Sequence, residues 1–318
     1  MSNHVQKYLA PIIVLIVILT LWEGLVAALQ IEKFLLPRPS VILANFAQVF
    51  IFEPEAASPA SAEPGLRLTT DRLFVLVPAH HASSKALENA LAGQVAQFSL
   101  FGYNFIVVLG ANFAPIIQAS LFTLREALGG FAIGCTSGIL MAFATARWTI
   151  TREAFMPFAI AANSTPIIAF APIMNNWFGL DNPFSKMAIV AIMIFFPMMI
   201  NTVRGLTSVD SRSLELMRSY AASEFEILFK LRIPNCLPYL FNGFKIAAAL
   251  SMIGAVVGEY FGGPRIALGV FITQEAALFR FSSAWAAIIV ACILGIALYL
   301  IILAAERLAM PWHVSFRN

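Results

Sequence analysis

Six stretches, each about twenty residues or a little longer, run almost without charge, and each is long enough to cross the hydrocarbon of a bilayer as a helix. They are Tyr8–Leu29, Leu121–Ala146, Phe155–Phe178, Phe184–Val203, Phe241–Phe261 and Ala284–Ala305. Hydrocarbon offers no water to satisfy backbone N–H and C=O groups, so segments of this kind fold as helices that satisfy themselves. Only 12% of the residues are charged while 60% are hydrophobic, a balance foreign to a soluble domain. The expected fold class is therefore all-α, a polytopic membrane protein with about six transmembrane helices. Gly129, Gly130, Gly134 and Gly138 form a small-residue face on the second span and predict close helix packing there. Pro166, Pro172 and Pro197 lie inside spans, where neighbouring helices can satisfy the freed backbone groups.

The first span has features of a secretory signal, with Lys7 ahead of it and Val26-Ala27-Ala28 near its end. Its apolar run is long for a signal core, so it is expected to remain as a span. Placing the N-terminus inside puts most Lys and Arg on the cytoplasmic side, among them Arg204, Arg212, Arg218, Lys230 and Arg232. The net charge of +3 is absorbed by this asymmetry and gives no reason to expect a nucleic-acid partner.

The polar segment from Glu215 to Pro234, ELMRSYAASEFEILFKLRIP, interrupts the apolar pattern and falls on that cytoplasmic side. It predicts two short helices and a turn. Asp210 stands where a cap for the first helix would be, and Ser223 with Glu226 has capping-box spacing for the second. Pro234 is expected to stop the second helix. On its residues alone the segment fits either an ordinary loop or a hairpin that a groove in a soluble partner could grip.

The same residues resemble the signature loop of ABC-type importer permeases, in which Glu-Ala-Ala, three residues, Gly, nine residues and Ile-x-Leu-Pro form the ATPase docking site. Glu215 takes the acidic position, Leu216 and Met217 replace the alanines, Ala221 stands at the glycine, and Leu231-Arg232-Ile233-Pro234 matches the end. Tyr220, Ala222 and Ser223, with PYLFNGFKIAAALSMIGAVVGEYFG at Pro238–Gly262, resemble the nitrate/sulfonate/taurine-type branch. The resemblance spans about Thr123 to Leu308 together with the first span and LLPRPS at Leu35–Ser40, and it leaves out roughly Glu53 to Gln118. Alanine for glycine at position 221 is expected to continue the helix with negative φ, since Ser223 can restart the next one.

The resemblance implies a type I importer permease fold in the inner membrane. Its layout would be a cytoplasmic N-terminus and first helix (1–30), a long extracytoplasmic loop (31–120), a five-helix core (121–308) with a cytoplasmic coupling loop (204–240), and a cytoplasmic tail (309–318). It implies a path for a small solute, either a nitrate-, sulfonate- or taurine-like anion or a vitamin or pyrimidine precursor. The implied partners are two ATP-binding subunits that carry out the hydrolysis, a second permease copy, an extracytoplasmic substrate-binding protein and membrane lipid. Glu215, Arg218, Ala221, Ser223, Glu224, Leu231, Ile233 and Pro234 would carry the ATPase contact.

No catalytic, cofactor or metal site is expected of this chain. His4, His80, His81 and His313, and likewise Asp71, Asp181 and Asp210, all fall outside the spans. Cys135, Cys236 and Cys292 have neither disulfide nor metal spacing. A stand-alone channel or proton-coupled carrier is the rival class, and the absence of acidic or histidine relays within the spans weighs against the carrier. The ionisable groups within or at the ends of spans are Glu23, Arg125, Glu126 and Glu259. Glu259 lies near the outer end of the fifth span, a helix that lines the path in the permeases this chain resembles. It fits either a path residue or a structural carboxylate that pairs with Arg265 or reaches the interface. Asn163, Ser164 and Thr165, before Pro166, supply polar groups suited to a path wall or to helix packing. Arg125 and Glu126 read as boundary anchors of the second span.

Within the long loop, Val41–Phe52 is expected to lie along the interface, Glu53–Gly65 to be flexible, Leu73–Val77 to be a strand, and Lys85–Gln97 a helix capped by Ser84. Phe98–Ile117 is apolar but broken by Asn104 and Asn112, and is expected to re-enter or lie on the membrane rather than to cross it.

Overall fold

The computed structural model describes residues 3–31, 36–46, 74–78, 95–100, 103–108, 113–146 and 149–311. The chain divides into two compact units, one comprising 1–119 with 271–289 and the other 120–270 with 290–318.

In the first unit, α1 (Asn3–Ala28) precedes a short α2 (Pro39–Phe46). α1 ends in a Schellman-type turn in which Gln30 takes φ 48° and Ile31 donates to the Val26 carbonyl. Glu23, inside the apolar helix, reaches across to α2: its Oε2 accepts from the Ser40 N–H (3.1 Å) and its Oε1 from the Ser40 hydroxyl (2.7 Å). A carboxylate at a helix N-terminus satisfies an orphan donor and meets the positive end of the dipole. Ser40 closes the LLPRPS motif, so that motif has a local structural role. α2 is helical over the first part of the Val41–Phe52 segment, and Glu53–Gly65, His80 and His81 lie outside the described residues.

The expected strand at Leu73–Val77 is β1 (Phe74–Pro78). It joins β2 (Val95–Leu100) and β3 (Tyr103–Val108) in an antiparallel sheet of order β1-β3-β2, with Phe98 opposite Phe105 and Leu76 also opposite Phe105. One expectation is corrected here: Val95–Gln97 are strand, not the end of a helix, and Phe98–Leu100 continue that strand against Tyr103–Val108. The signal was present as alternation: Phe98 and Leu100, then Tyr103, Phe105 and Val107, occur at the strand period of two around a short link.

The core of the second unit is all-helical among its described residues: α3 (Phe113–Ala146), α4 (Thr149–Asn163), α5 (Ala171–Phe178), α6 (Pro183–Thr207), α7 (Ser211–Ser219), α8 (Glu224–Ile227), α9 (Ile233–Tyr260), α10 (Leu268–Ala277) and α11 (Phe281–Ala309). Of these, 116–146, 183–207, 224–260 and 283–309 are long and apolar enough to cross a membrane. The expected third span is a broken one, 153–163 and 167–178 bent by 80° across Pro166, and it is the fifth candidate. α1, 26 residues long, covers most of the expected first span.

α6 is the central helix of this unit, with the most extensive packing on α9 and further contacts to α4 and α5. The glycine face of α3 meets it as expected. A methyl group at Gly134 would come within 2.8 Å of the Ala191 carbonyl oxygen, and one at Gly138 within 2.7 Å of that of Phe195. Backbone cannot yield as a side chain can, so only glycine permits this approach. A part-buried ion pair, Lys245 Nζ to Glu306 Oε2 at 3.0 Å, ties α9 to α11.

Candidate functional site

The polar segment after α6 folds as a helical hairpin. α7 ends in a Schellman turn: Ala221 N–H donates to the Arg218 carbonyl (2.9 Å) and Ala222 N–H to that of Met217 (3.1 Å). This turn needs a left-handed residue after the helix, and Ala221 supplies it with φ 53°. The expectation of negative φ at 221 is thus overturned. The geometry is the one glycine adopts freely, and alanine strains it by about 1 kcal/mol. Ala221→Gly is therefore expected to stabilise the hairpin by about that amount, measured as slower amide exchange across 216–227 with the rest of the chain unchanged.

The capping box forms as expected. Ser223 Oγ accepts from the Glu226 N–H at 3.3 Å, and the Glu226 carboxylate accepts from the Ser223 N–H at 3.0 Å. Lys230, one turn on, donates to Glu226 at 3.0 Å. Asp210 occupies the N-cap position of α7, but its side chain makes no capping bond, so only its backbone serves that helix.

Pro234 does not stop the second helix. Leu228–Arg232 widen into a π turn and α9 begins at Ile233, so helix runs on from Glu224 to Tyr260. Proline lacks an N–H and its ring crowds the carbonyl four residues back. A π turn just before it alters that bonding pattern, and Pro234 then sits near the start of α9, a tolerated position. Leu231 and Ile233 are half-buried here, whereas Glu215, Arg218 and Glu224 are exposed.

The base of the hairpin is fixed. Ile227 is fully buried, and Asn235 donates to the Gly205 carbonyl (3.3 Å) and to Ser208 Oγ (2.9 Å) at the end of α6. On this anchored frame three aromatic rings stand out: Tyr220 is 77% exposed, Phe225 71% and Phe229 54%. The Phe225 and Phe229 rings lie 4.8 Å apart. The signature spacing drew attention to charged residues and passed over Phe225 and Phe229. The signal was the i, i+4 repeat of phenylalanine inside an otherwise polar stretch.

Glu259 is 1% exposed, inside the second unit. Its Oε1 accepts from the Thr123 hydroxyl at 2.7 Å and its Oε2 from the Gly269 N–H at 2.6 Å. Thr123 Oγ1 in turn accepts from the Leu268 N–H at 3.0 Å. Two residues remote in sequence, one on α3 and one on α9, thereby satisfy the first N–H groups of α10. Gly269 is required for this, since a methyl group there would meet the Glu259 carboxylate at 2.8 Å. The suggested pairing with Arg265 is absent from the ion pairs of the described residues. Nor is Glu126 a boundary anchor. It is fully buried beside Glu259, and its oxygens find no N–H or hydroxyl donor among the described residues. Lys186, also fully buried, donates to the Leu180 carbonyl. Among the described residues, no group of three or more His, Cys, Asp and Glu could hold a metal ion.

At the break in the third span, Asn163, Ser164 and Thr165 are exposed. Ser164 is satisfied by the Ile160 carbonyl at 3.2 Å, while Asn163 and Thr165 face a cavity bounded also by α6 and α9.

A long helical core, a broken span and an anchored polar hairpin are the parts a transport subunit needs. Residues 134–310 match the family described as binding-protein-dependent transport system inner membrane component. The chain belongs to that family. It is a permease subunit of an ABC-type importer, a multi-pass inner-membrane protein, which sets aside the stand-alone channel and the carrier. The permease is 32% identical over 184 residues to the formylaminopyrimidine transport permease protein ThiX of Halalkalibacterium halodurans, covering 58% of this chain and 73% of that protein. It is 31% identical over 198 residues to the riboflavin transport system permease protein RibX of Chloroflexus aurantiacus, covering 62% and 73%. Against the taurine transport system permease protein TauC of Escherichia coli the identity is 27% over 148 residues, covering 46% and 53%.

Proposed function

We propose that this permease couples to a cytoplasmic ATPase through the 211–234 hairpin and carries a small heteroaromatic solute. The carrying observation is the trio of exposed rings, Tyr220, Phe225 and Phe229, on a hairpin whose base is buried and hydrogen-bonded. Exposed aromatic anchors on a rigid frame are what a partner groove grips, because little conformational freedom is lost on binding. Around them, Glu215, Arg218, Ser223 and Glu224 form a polar rim. Two ATPase copies would dock on two permease copies, with a substrate-binding protein delivering solute from the other side. Closure of the ATPase pair on ATP then pulls on the hairpins and biases the inward- and outward-open states, as any binding event biases the state it fits better. The permease contributes the path and the lever, and the partner hydrolyses ATP.

The solute proposal draws on the relatives. Those for formylaminopyrimidine and riboflavin, at 32% and 31%, are more identical to this chain than the relatives for aliphatic sulfonates and taurine, at 26% and 27%. The test is reconstitution of the permease with its ATPase and binding protein in liposomes. ATP-dependent uptake of riboflavin or a formylaminopyrimidine is the expected result, and uptake of taurine alone would overturn the solute class.

A further inference from the structure

Where the third span breaks, a cavity of about 640 Å³ opens against α6 and α9. This lies in the range of small-molecule sites, about 300–1,000 Å³. Isoleucines from each side wall it, Ile160 and Ile168 from the broken pair, Ile200 from α6 and Ile246 from α9. Set into these walls are Asn163, Thr165 and Arg204.

These polar side chains are unused. Among the described residues none of the three makes a side-chain hydrogen bond or ion pair. Their neighbours behave otherwise. Ser164 donates to its own helix, and Asn201, also on the wall, donates to the Pro197 carbonyl (2.8 Å) and accepts from Asn242 (3.2 Å). The amide and the hydroxyl are exposed to the cavity and free to meet water or a solute, and the guanidinium stands at its cytoplasmic end.

We propose that this cavity is the permease's own contact site for its solute, and that it takes a planar nitrogen heterocycle. The proposal rests on the transport reading above. The isoleucine walls suit the flat faces of a ring, while Asn163, Thr165 and Arg204 meet ring nitrogens and carbonyl oxygens at its edge. A small, strongly hydrated anion fits poorly, since one guanidinium would replace its water and the rest of the wall would not. Arg204, in the last turn of α6, lies close in sequence to the hairpin and sets the inner mouth of the site.

The test uses the whole complex in inside-out vesicles, with Cys135, Cys236 and Cys292 replaced. Single cysteines are introduced as Thr165→Cys and, for comparison, Phe158→Cys, a 74% exposed position that does not line the cavity. A charged thiol reagent should modify the cysteine at 165 and leave that at 158 largely unreacted. Riboflavin or a formylaminopyrimidine, at roughly ten times its dissociation constant, should slow the reaction at 165 about tenfold, and taurine should not. An unreactive 165, as when a helix of the second copy fills the cavity, overturns the proposal, as does protection by taurine alone. Co-purification of the ATPase from the same vesicles reports separately on the coupling reading.

Discussion

Aspartate at both Phe225 and Phe229 is expected to release the ATPase while leaving the permease inserted and folded. Both rings are more than half exposed and lie 4.8 Å apart, so the core loses little when they go. In a docked complex the same rings would be desolvated, and aromatic anchors of this kind contribute about 2 kcal/mol or more each, about thirtyfold in affinity. Burying aspartate there adds a desolvation penalty. Lys230→Ala is the contrast. Its ion pair with Glu226 is solvent-exposed and holds one turn of helix, so the change should cost no more than about 0.5 kcal/mol. Binding of purified ATPase to the permease in nanodiscs measures both. Equal loss in the two variants would mean that charge, and not the aromatic pair, carries the contact.

The second large effect is expected at Glu259. Each carboxylate oxygen accepts one bond, from Gly269 N–H and from the Thr123 hydroxyl. Glutamine keeps the shape but presents an NH₂ to one of those donors, so one of the two bonds is lost, offset only in part where the NH₂ donates to the neighbouring Glu126. Glu259→Gln should therefore lower stability by about 1–3 kcal/mol, and Thr123→Val, which strands the Leu268 N–H, by a similar amount. Because the two residues share one network, the double variant should lose less than the sum of the single losses. Thermal unfolding of the four proteins decides it. Unchanged stability for Glu259→Gln with reduced uptake would return Glu259 to the path.

What could be read in advance follows a physical division. The spans were legible because hydrocarbon imposes its length requirement one segment at a time, and the capping box because Ser223 and Glu226 are three residues apart. The glycine face of α3 was legible for the same reason of local periodicity. Pro234 misled because its effect depends on a π turn built from residues with no distinctive composition. Ala221 misled because its own preference is for negative φ, whereas the Schellman turn closes only with a left-handed residue at that position. Glu259 could not be read at all from its neighbours. Its partners, Thr123 and Gly269, are brought to it by the packing of α3 and α10, and no spacing along the chain encodes that.

The most direct measurement places a photoreactive benzoyl-phenylalanine at Tyr220, the ring most exposed on the hairpin, in cells that make the whole transporter. Irradiation should cross-link the permease to its ATPase from position 220 and not from Phe158, an equally exposed position on the broken span. Cross-linking from neither position, or from both alike, would contradict docking through the hairpin.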